Sequence, residues 1–205
     1  AVVDHDSFDT GVVVTTSDEV QALALTATNT FDLGAVAVTK TVDGAGASFV
    51  EGRTYAVEVT CVLPQGGPTP TVLLAGKKLS LTAGQTLEVG DLPIGAQCWA
   101  GESDNGGATR TTIAHDSATK PATVVAGRTA GIAVVNTFDT GRLTVTKKVV
   151  GPGEGRFSFT LTCTTPQGDV PLKGSVARFT LKAGQSRVFD VPLGASCIVR
   201  EVDVP

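Results

Sequence analysis

The chain has 205 residues, a net charge of -4 at pH 7 and a pI near 5.1. It has no Lys/Arg cluster and no run of about eighteen apolar residues, which excludes a footprint for nucleic acid and argues against insertion into a membrane. Aromatic residues make up 5% of the chain, whereas Val, Thr, Ala and Gly are abundant, a composition typical of many short strands.

The first segment, residues 1–32, is similar to the stretch that begins at residue 111, because HDS recurs and both stretches run to NTFD. Apolar residues alternate from Leu23 towards Asn29, which places Asn29 on the apolar face of a strand. We expect residues 1–32 to form closing strands of a preceding, or strand-donated, β-sandwich domain.

A complete domain is expected over residues 33–139. It opens with Val36, Val38 and Lys40 on one face of a strand, and it ends in a strand whose inward face includes Asn136. Gly- and Pro-rich turns separate about seven short strands, and helical periodicity is absent. This pattern predicts an antiparallel β-sandwich.

The last segment, residues 140–205, repeats the same scheme from its first strand, where Lys147 again shares a face with valines. It stops shortly after the strand that contains Cys197, so we expect a β-sandwich domain lacking its last strands. The fold class predicted for the whole chain is therefore all-β, with tandem β-sandwich domains.

The four cysteines lie two per repeat, at Cys61, Cys98, Cys163 and Cys197. Their spacing and the absence of a nearby His do not favour zinc. The repeat itself pairs Cys61 with Cys98 and Cys163 with Cys197, which predicts disulfides and an oxidising, extracellular compartment. Four buried free thiols remain the alternative.

Three polar residues share the phase of the apolar core in the complete domain: Lys40, Glu102 and Asn136. Lys147 and Glu201 occupy the corresponding places in the last segment. Acidic residues follow each Glu in the same phase, so the burial of the two Glu side chains is less secure than that of the lysines. Burying an unpaired polar group in an apolar core costs free energy, so three such residues in one core are expected to interact with one another.

One such interaction is an autocatalytic crosslink. An apolar core favours the neutral amine of Lys40 and the protonated acid of Glu102. The amine could attack the side-chain amide of Asn136 while Glu102 polarises the carbonyl and relays a proton to the leaving ammonia. Two alternatives stay open: a buried ion pair with a hydrogen-bonded Asn, and a one-residue slip that would place Lys40 in water.

The Lys in VTK, the mid-domain Glu and the Asn in NTF resemble the pattern of Cna B-type domains of Gram-positive surface adhesins and pilins, in particular tandem repeats of actinobacterial surface proteins. The resemblance implies an immunoglobulin-like β-sandwich in which an isopeptide bond joins Lys40 to Asn136 with Glu102 as catalyst. Lys147 and Glu201 would await an Asn from elsewhere. The cysteine pairs depart from the best-known members of that family, so a disulfide could serve as the clamp instead.

The function expected from these features is structural: a stalk or pilus-like filament shaft that catalyses nothing beyond its own crosslink and needs no cofactor. Neighbouring copies are the expected partners. Asn29 of one copy could reach Lys147 of the next by strand donation, with Glu201 as catalyst. The alternative explanation for the incomplete first and last segments is that the chain is a piece of a longer repeat protein.

Two further readings concern single residues. An adhesin module that binds a host protein or glycan is the alternative function, for which Trp99 is the candidate contact. His5 and His115 occupy equivalent HDS positions, where a metal site is imaginable, but a surface turn is the expected structure, and we expect no metal.

Overall fold

The computed structural model describes residues 32–64, 69–152, 154–174 and 176–203, together with the backbone of residues 2–3 and 29–30. Strands dominate these residues, with a short 3₁₀ helix at Ala47–Val50. Strand β1 (Val2–Val3) pairs antiparallel with β2 (Asn29–Thr30). The rest of the predicted closing strands of residues 1–32 lies outside the described residues.

Eight strands follow between residues 33 and 137 and form two facing sheets. The strands are β3 (Leu33–Asp43), β4 (Thr54–Leu63), β5 (Thr71–Thr82), β6 (Thr86–Pro93), β7 (Gln97–Asp104), β8 (Arg110–Ile113), β9 (Ala122–Thr123) and β10 (Thr129–Thr137). The first sheet has the order β6-β3-β10-β8 and the second has the order β5-β4-β7-β9. The predicted all-β sandwich class is confirmed.

The core of this first sandwich forms because each long strand alternates apolar and polar residues. Val36 and Val38 on β3 and Val57 and Val59 on β4 are fully buried, whereas the residues between them are not. The first sheet contains one parallel pair, since β10 runs parallel to β3; the other pairs in the two sheets are antiparallel. The first and last strands of the sandwich are therefore direct neighbours.

A second set of strands begins at residue 140. It contains β11 (Thr140–Thr146), β12 (Arg156–Thr165), β13 (Gly168–Asp169), β14 (Arg178–Lys182), β15 (Ser186–Pro192) and β16 (Ser196–Asp203). Strand β11 pairs with β15, and β12 pairs with β13, β14 and β16. Phe159, Phe179 and Phe189 fill this second core, with neighbouring ring centroids 5.3 and 4.6 Å apart.

Both cysteine pairs are disulfides in the structure, Cys61 with Cys98 and Cys163 with Cys197. In each pair the two cysteines face each other on neighbouring antiparallel strands of one sheet, with their Cα atoms 4.1 Å apart. The first disulfide therefore ties the two middle strands of its sheet, and the second ties β12 to β16, while each leaves the first strand of its sandwich untied. No helix in the described part of the chain is long and apolar enough to cross a membrane.

Candidate crosslinking site

Lys40 lies near the end of β3, on the face that its strand turns towards the core. Its relative exposure is 0%, and it follows the buried Val36 and Val38 at the strand period of two. The strand is fixed on both edges by hydrogen-bonded neighbours, β6 and β10. The lysine side chain therefore has no route to water, and its amine must be satisfied inside the sandwich.

The partner of this amine comes from the opposite sheet. Glu102 lies on β7, and its Oε1 is 2.8 Å from Lys40 Nζ, with both side chains at 0% exposure. Beyond this ion pair, neither Lys40 Nζ nor either carboxylate oxygen has a hydrogen-bond partner among the described residues. An isolated pair of this kind recovers little of the cost of removing two charges from water.

Burial sets the protonation behaviour of the lysine. Desolvation lowers the pKa of Lys40 from its ordinary value of 10.5, and this effect exceeds the opposing hydrogen bond and charge of Glu102. A lysine with a lowered pKa is a neutral amine over a wider pH range, and a neutral amine is a nucleophile. The site therefore supports the form of Lys40 that a crosslinking reaction requires.

The aromatic ring of Tyr55 contacts the Lys40 amine. Lys40 Nζ lies 4.6 Å from the centre of the Tyr55 ring, which reaches it from β4 in the opposite sheet. The tyrosine hydroxyl is buried without a hydrogen-bond partner in the described structure, and burial raises the pKa of Tyr55. Alternation along β4 turns Tyr55 inward together with Val57 and Val59, but the sequence carries no signal for its contact with Lys40.

Asn136 lies on β10, beside the lysine and fully buried. In the parallel pair, Val134 is opposite Lys40 and Asn136 is opposite Val42, so Lys40 and Asn136 are diagonal neighbours on one face. A strand separation of about 4.8 Å and a rise of about 3.3 Å per residue put the Cα atoms of such neighbours about 8 Å apart, which a lysine side chain can span.

The amide of Asn136 is held by two groups that the sequence analysis did not identify. The Thr111 hydroxyl donates to Asn136 Oδ1 at 3.0 Å, and Asn136 Nδ2 donates to the main-chain carbonyl of Asn105 at 3.1 Å. Thr111 lies on β8 and Asn105 lies in the turn after β7. A sequence signal existed only for Asn105, whose NGG context marks a turn.

The second sandwich contains a corresponding pair in a more open setting. Lys147 Nζ donates to both carboxylate oxygens of Glu201 at 2.9 and 2.8 Å, and the two side chains are 15% and 25% exposed. The Phe157 ring lies 3.9 Å from the lysine nitrogen, in the place that Tyr55 takes in the first sandwich. No asparagine joins this pair within the described residues, and the side chain of Asn29 lies outside them.

The other residues that the sequence singles out are Trp99, His5 and His115. Trp99 is partly buried, and Lys148, which follows Lys147 in the sequence, is exposed. The His115 Nδ1 lies 3.0 Å from the main-chain oxygen of Lys120 in an exposed turn, while His5 lies outside the described residues. In the part of the chain that is described, no group of three or more His, Cys, Asp or Glu side chains is placed to hold a metal ion.

A family model described as "Domain of unknown function (DUF5979)" matches the chain twice, at residues 36–139 and 143–204. The chain belongs to the DUF5979 family. The two matches begin within or just after the first strands β3 and β11, so each sandwich of this DUF5979 chain matches the family model separately. The narrower resemblance to Cna B-type domains stays a prediction.

The DUF5979 chain is also similar to solved structures of an adhesin and two pilins. A bacterial adhesin from Mobiluncus mulieris containing intramolecular disulfide, isopeptide and ester bond cross-links matches 51% of the chain at 20% identity, with a TM-score of 0.35. The chain spans 40% of that adhesin's length. The major pilin from Streptococcus pyogenes matches at 18% identity and a TM-score of 0.43, over 83% of this chain and 82% of the pilin.

A streptococcal ancillary pilin matches at 17% identity and a TM-score of 0.34, over 93% of this chain and 60% of the pilin. A search of curated proteins found no match. These structural likenesses are distant, and the chemistry of the site has to be argued from the residues of this chain.

Proposed function

We propose that this chain is a structural module of an extracellular surface shaft, with β-sandwich domains at residues 33–139 and 140–205. In the first domain, an isopeptide bond joins Lys40 to Asn136, and Glu102 catalyses its formation. The observation that carries this proposal is the fully buried amine of Lys40, paired with one buried carboxylate and placed beside a buried amide on the neighbouring strand.

The reaction needs only groups that the sandwich holds. The neutral amine of Lys40 attacks the side-chain carbonyl carbon of Asn136, and a carbon–nitrogen bond forms as the tetrahedral intermediate is made. Glu102 takes a proton from the attacking nitrogen and delivers a proton to the amide nitrogen, which leaves as ammonia. One amine and one primary amide become one secondary amide and one ammonia, so no oxidant or cofactor is required.

The bond would close the part of the sandwich that the disulfide leaves open. Cys61 and Cys98 tie β4 to β7 in one sheet, whereas Lys40 and Asn136 would tie the first strand to the last strand in the other. Tension applied to the two ends of the domain would pass through neighbouring strands joined covalently. This is the property that a load-bearing stalk needs.

The junction between the two sandwiches is short, which also suits a shaft. Residues 138–139 alone separate β10 from β11, and the Leu193 N–H donates to the main-chain oxygen of Asp139 at 3.0 Å. A link of this length restricts bending between neighbouring domains.

Intact mass of the reduced, unfolded chain tests the proposal. We expect a deficit equal to one ammonia, and a branched peptide joining Lys40 to Asn136 after proteolysis. Lys40→Met and Asn136→Ala should each restore the full mass, because each removes one reacting group. Lys148→Met is the matched control, since Lys148 is exposed, and it should keep the deficit. A wild-type chain at full mass would contradict the bond and leave Lys40 and Glu102 as a structural ion pair.

A second function is favoured by the open edge of β11. Strand β3 has neighbours on both sides, whereas β11 pairs with β15 alone among the described strands, and Lys147 and Glu201 beside it are partly exposed. Residues 24–32 (ALTATNTFD) match residues 131–139 (GIAVVNTFD) of the last strand of the first sandwich. We propose that this segment of a neighbouring copy adds to β11 and presents Asn29 to Lys147.

Denaturing gel electrophoresis after incubation at rising protein concentration tests this assembly. A ladder of covalent multimers that Asn29→Ala and Lys147→Met both abolish would support it. Asn105→Ala is not a suitable control because it touches the first site, so Lys148→Met again serves. A chain that stays monomeric in native mass measurements at every concentration would rule out strand addition between copies.

A further inference from the structure

We propose that Thr111 and Asn105 are catalytic groups of the crosslinking reaction: Thr111 stabilises the oxyanion, and the main-chain carbonyl of Asn105 holds the departing nitrogen. The inference rests on the proposed isopeptide bond and deepens it. Its basis is that both groups contact the two reacting heteroatoms of the Asn136 amide directly.

The first contact follows from the strand register. Thr111 on β8 is opposite Asn136 on β10 in an antiparallel pair, so the two side chains point to the same face as direct neighbours. The distance from Thr111 Oγ1 to Asn136 Oδ1 is 3.0 Å. A carbonyl oxygen can only accept, so the hydroxyl hydrogen must point at the oxygen that would become negative during attack.

A second donor strengthens the first. Asn105 Nδ2 donates to Thr111 Oγ1 at 3.2 Å, so the threonine accepts one hydrogen bond while it donates another. Such chains polarise each bond along them, which makes the threonine a better donor to Asn136. Negative charge that develops on Asn136 Oδ1 would therefore be shared along a chain of fixed dipoles.

The nitrogen of the amide is held on the other side. Asn136 Nδ2 donates to the main-chain oxygen of Asn105 at 3.1 Å. With a donor at its oxygen and an acceptor at its nitrogen, the amide has one satisfied orientation, and a flipped amide would face both partners with the wrong group. When Nδ2 gains a proton from Glu102, it gains a further donor, and the Asn105 carbonyl is already in place to accept from it.

The turn that carries Asn105 is built before any reaction takes place. The Gly106 N–H donates to Asp104 Oδ1 at 2.9 Å and the Gly107 N–H donates to Asn105 Oδ1 at 3.0 Å. Both glycines have positive φ, 65° and 81°, which other residues rarely adopt. Arg53 Nη1 also donates to the Gly106 carbonyl at 2.8 Å. Donors and acceptors held in this way need no reorganisation when charge develops.

In the hypothesis drawn from the sequence, Glu102 both polarises the carbonyl and transfers the proton. The contacts in the structure favour two different residues for these two roles. Glu102 contacts the nucleophile Lys40, whereas Thr111 contacts the carbonyl oxygen. We assign proton transfer to Glu102 and stabilisation of the oxyanion to Thr111. Removal of one such donor slows comparable acyl-transfer reactions by about 100- to 1000-fold.

The test follows loss of ammonia over time in the full chain, by intact mass after reduction. Thr111→Ala and Thr111→Ser both remove the methyl group, but serine keeps the hydroxyl, so their ratio isolates the donor. We expect Thr111→Ala to be purified with unreacted Lys40 and Asn136 and to mature at least about 100-fold more slowly than Thr111→Ser. Thr112→Ala is the matched control on the exposed side of β8 and should react like the wild type.

Two outcomes separate this inference from the proposed crosslink on which it rests. A wild-type chain without the mass deficit would overturn the crosslink itself. A crosslinked wild type with alanine and serine variants that mature at equal rates would overturn the role of Thr111 and leave the crosslink standing. Amide exchange of β3 and β10 shows whether each variant is folded, and Thr111→Val, which keeps the shape of threonine, repeats the comparison if the alanine variant is not.

Discussion

The two lysine sites of this chain contain the same Lys–Glu pair but differ in how far that pair is exposed to solvent. Lys40 and Glu102 meet at 0% exposure through a single oxygen, and the last strand, β10, pairs with the strand that carries the lysine. Lys147 and Glu201 meet through both oxygens and stay 15% and 25% exposed, next to a first strand with one described partner.

The difference shows what the last strand contributes. It brings the amide of Asn136, and the Lys–Glu pair beside it is fully buried, whereas the pair without such a strand is partly exposed. In the first sandwich the ion pair is deprived of solvent and of further hydrogen bonds, and burial favours the neutral, reactive amine of Lys40 by lowering its pKa. In the second, Lys147 contacts both oxygens of Glu201 and the pair stays partly exposed. Under the proposed crosslink, we therefore expect such a Lys/Glu pair to react only where a strand that carries Asn is in place.

The largest expected effect separates the two glutamates. Glu102→Ala leaves a fully buried amine without its partner, which costs about 3–5 kcal/mol of the free energy of unfolding, and it also removes the proposed catalyst of the proposed crosslink. Glu201→Ala breaks a partly exposed pair, and we expect a loss of about 1 kcal/mol or less. Amide hydrogen exchange, which reports on each sandwich separately, measures both losses.

Glu58→Ala supplies the control for this comparison, because Glu58 pairs with Lys78 on the exposed surface at 3.7 Å. It should leave exchange in both cores unchanged. Equal losses for Glu102→Ala and Glu201→Ala would mean that burial does not distinguish the two sites, and the contrast drawn above would fail.

The disulfides give the next test, because they are matched in loop length. The paired cysteines are 37 residues apart in the first sandwich and 34 in the second, so loop closure predicts the same stabilisation for each, about 3–4 kcal/mol. Burial differs, since Cys61 and Cys98 are fully buried while Cys197 is only partly buried. We expect a mild reductant to open the bond between Cys163 and Cys197 first.

Alkylation after timed reduction, read by peptide mass, measures this order. Once reduced, the second sandwich should also lose amide protection before the first, because the first keeps its proposed crosslink between β3 and β10. The two bonds opening at the same rate would contradict a protective role for the closed first core.

Much of this arrangement could be predicted from the sequence, and the limits have physical causes. Alternation at a period of two places Lys40 and Asn136 on inward faces, because a strand dictates side-chain direction locally. The burial of Glu102 was harder to predict, because the next residue in the same phase, Asp104, is also acidic. The structure shows a register irregularity between Ala56 and Val57 on β4, opposite the end of β7, where the side chain of Glu102 is buried and Asp104 is exposed.

The contacts of Thr111, Asn105 and Tyr55 were not accessible from the pattern. The pairing of β8 with β10 fixes the contact of Thr111, and the packing of one sheet on the other fixes that of Tyr55. Neither register nor sheet packing is encoded in local alternation. The carbonyl of Asn105 belongs to the backbone of a turn, so no side-chain pattern could reveal its role.

The pH dependence of stability gives a smaller effect, visible in a chain that cannot crosslink. In Asn136→Ala, Lys40 keeps a pKa lowered by burial, so between that value and 10.5 the unfolded chain holds a proton that the folded chain has lost. The free energy of unfolding should therefore rise with pH in this window, by at most about 1.4 kcal/mol per pH unit. The raised pKa of Tyr55 acts in the opposite direction, as its folded form keeps its proton longer.

Denaturant unfolding of Asn136→Ala, compared with Lys40→Met/Asn136→Ala at each pH, isolates the lysine because Tyr55 is common to both. The difference in unfolding free energy should move in favour of the chain with Lys40 as pH rises. A difference that stays constant up to pH 10.5 would show that Lys40 titrates alike in both states.

The smallest expected effect comes from exchanging the aromatic residues that contact the two lysines, Tyr55 and Phe157. Tyr55 has a buried hydroxyl without a partner among the described residues, whereas the second sandwich uses Phe157 under its lysine. Tyr55→Phe removes the unsatisfied group, so we expect the first sandwich to gain about 1 kcal/mol. Phe157→Tyr should cost less than this gain, because partial exposure of Lys147 and Glu201 offers the added hydroxyl access to water. Chemical denaturation of the two single variants measures both changes. A lower free energy of unfolding for Tyr55→Phe would mean that the hydroxyl makes a hydrogen bond in solution. Water would then reach the first site in spite of its burial.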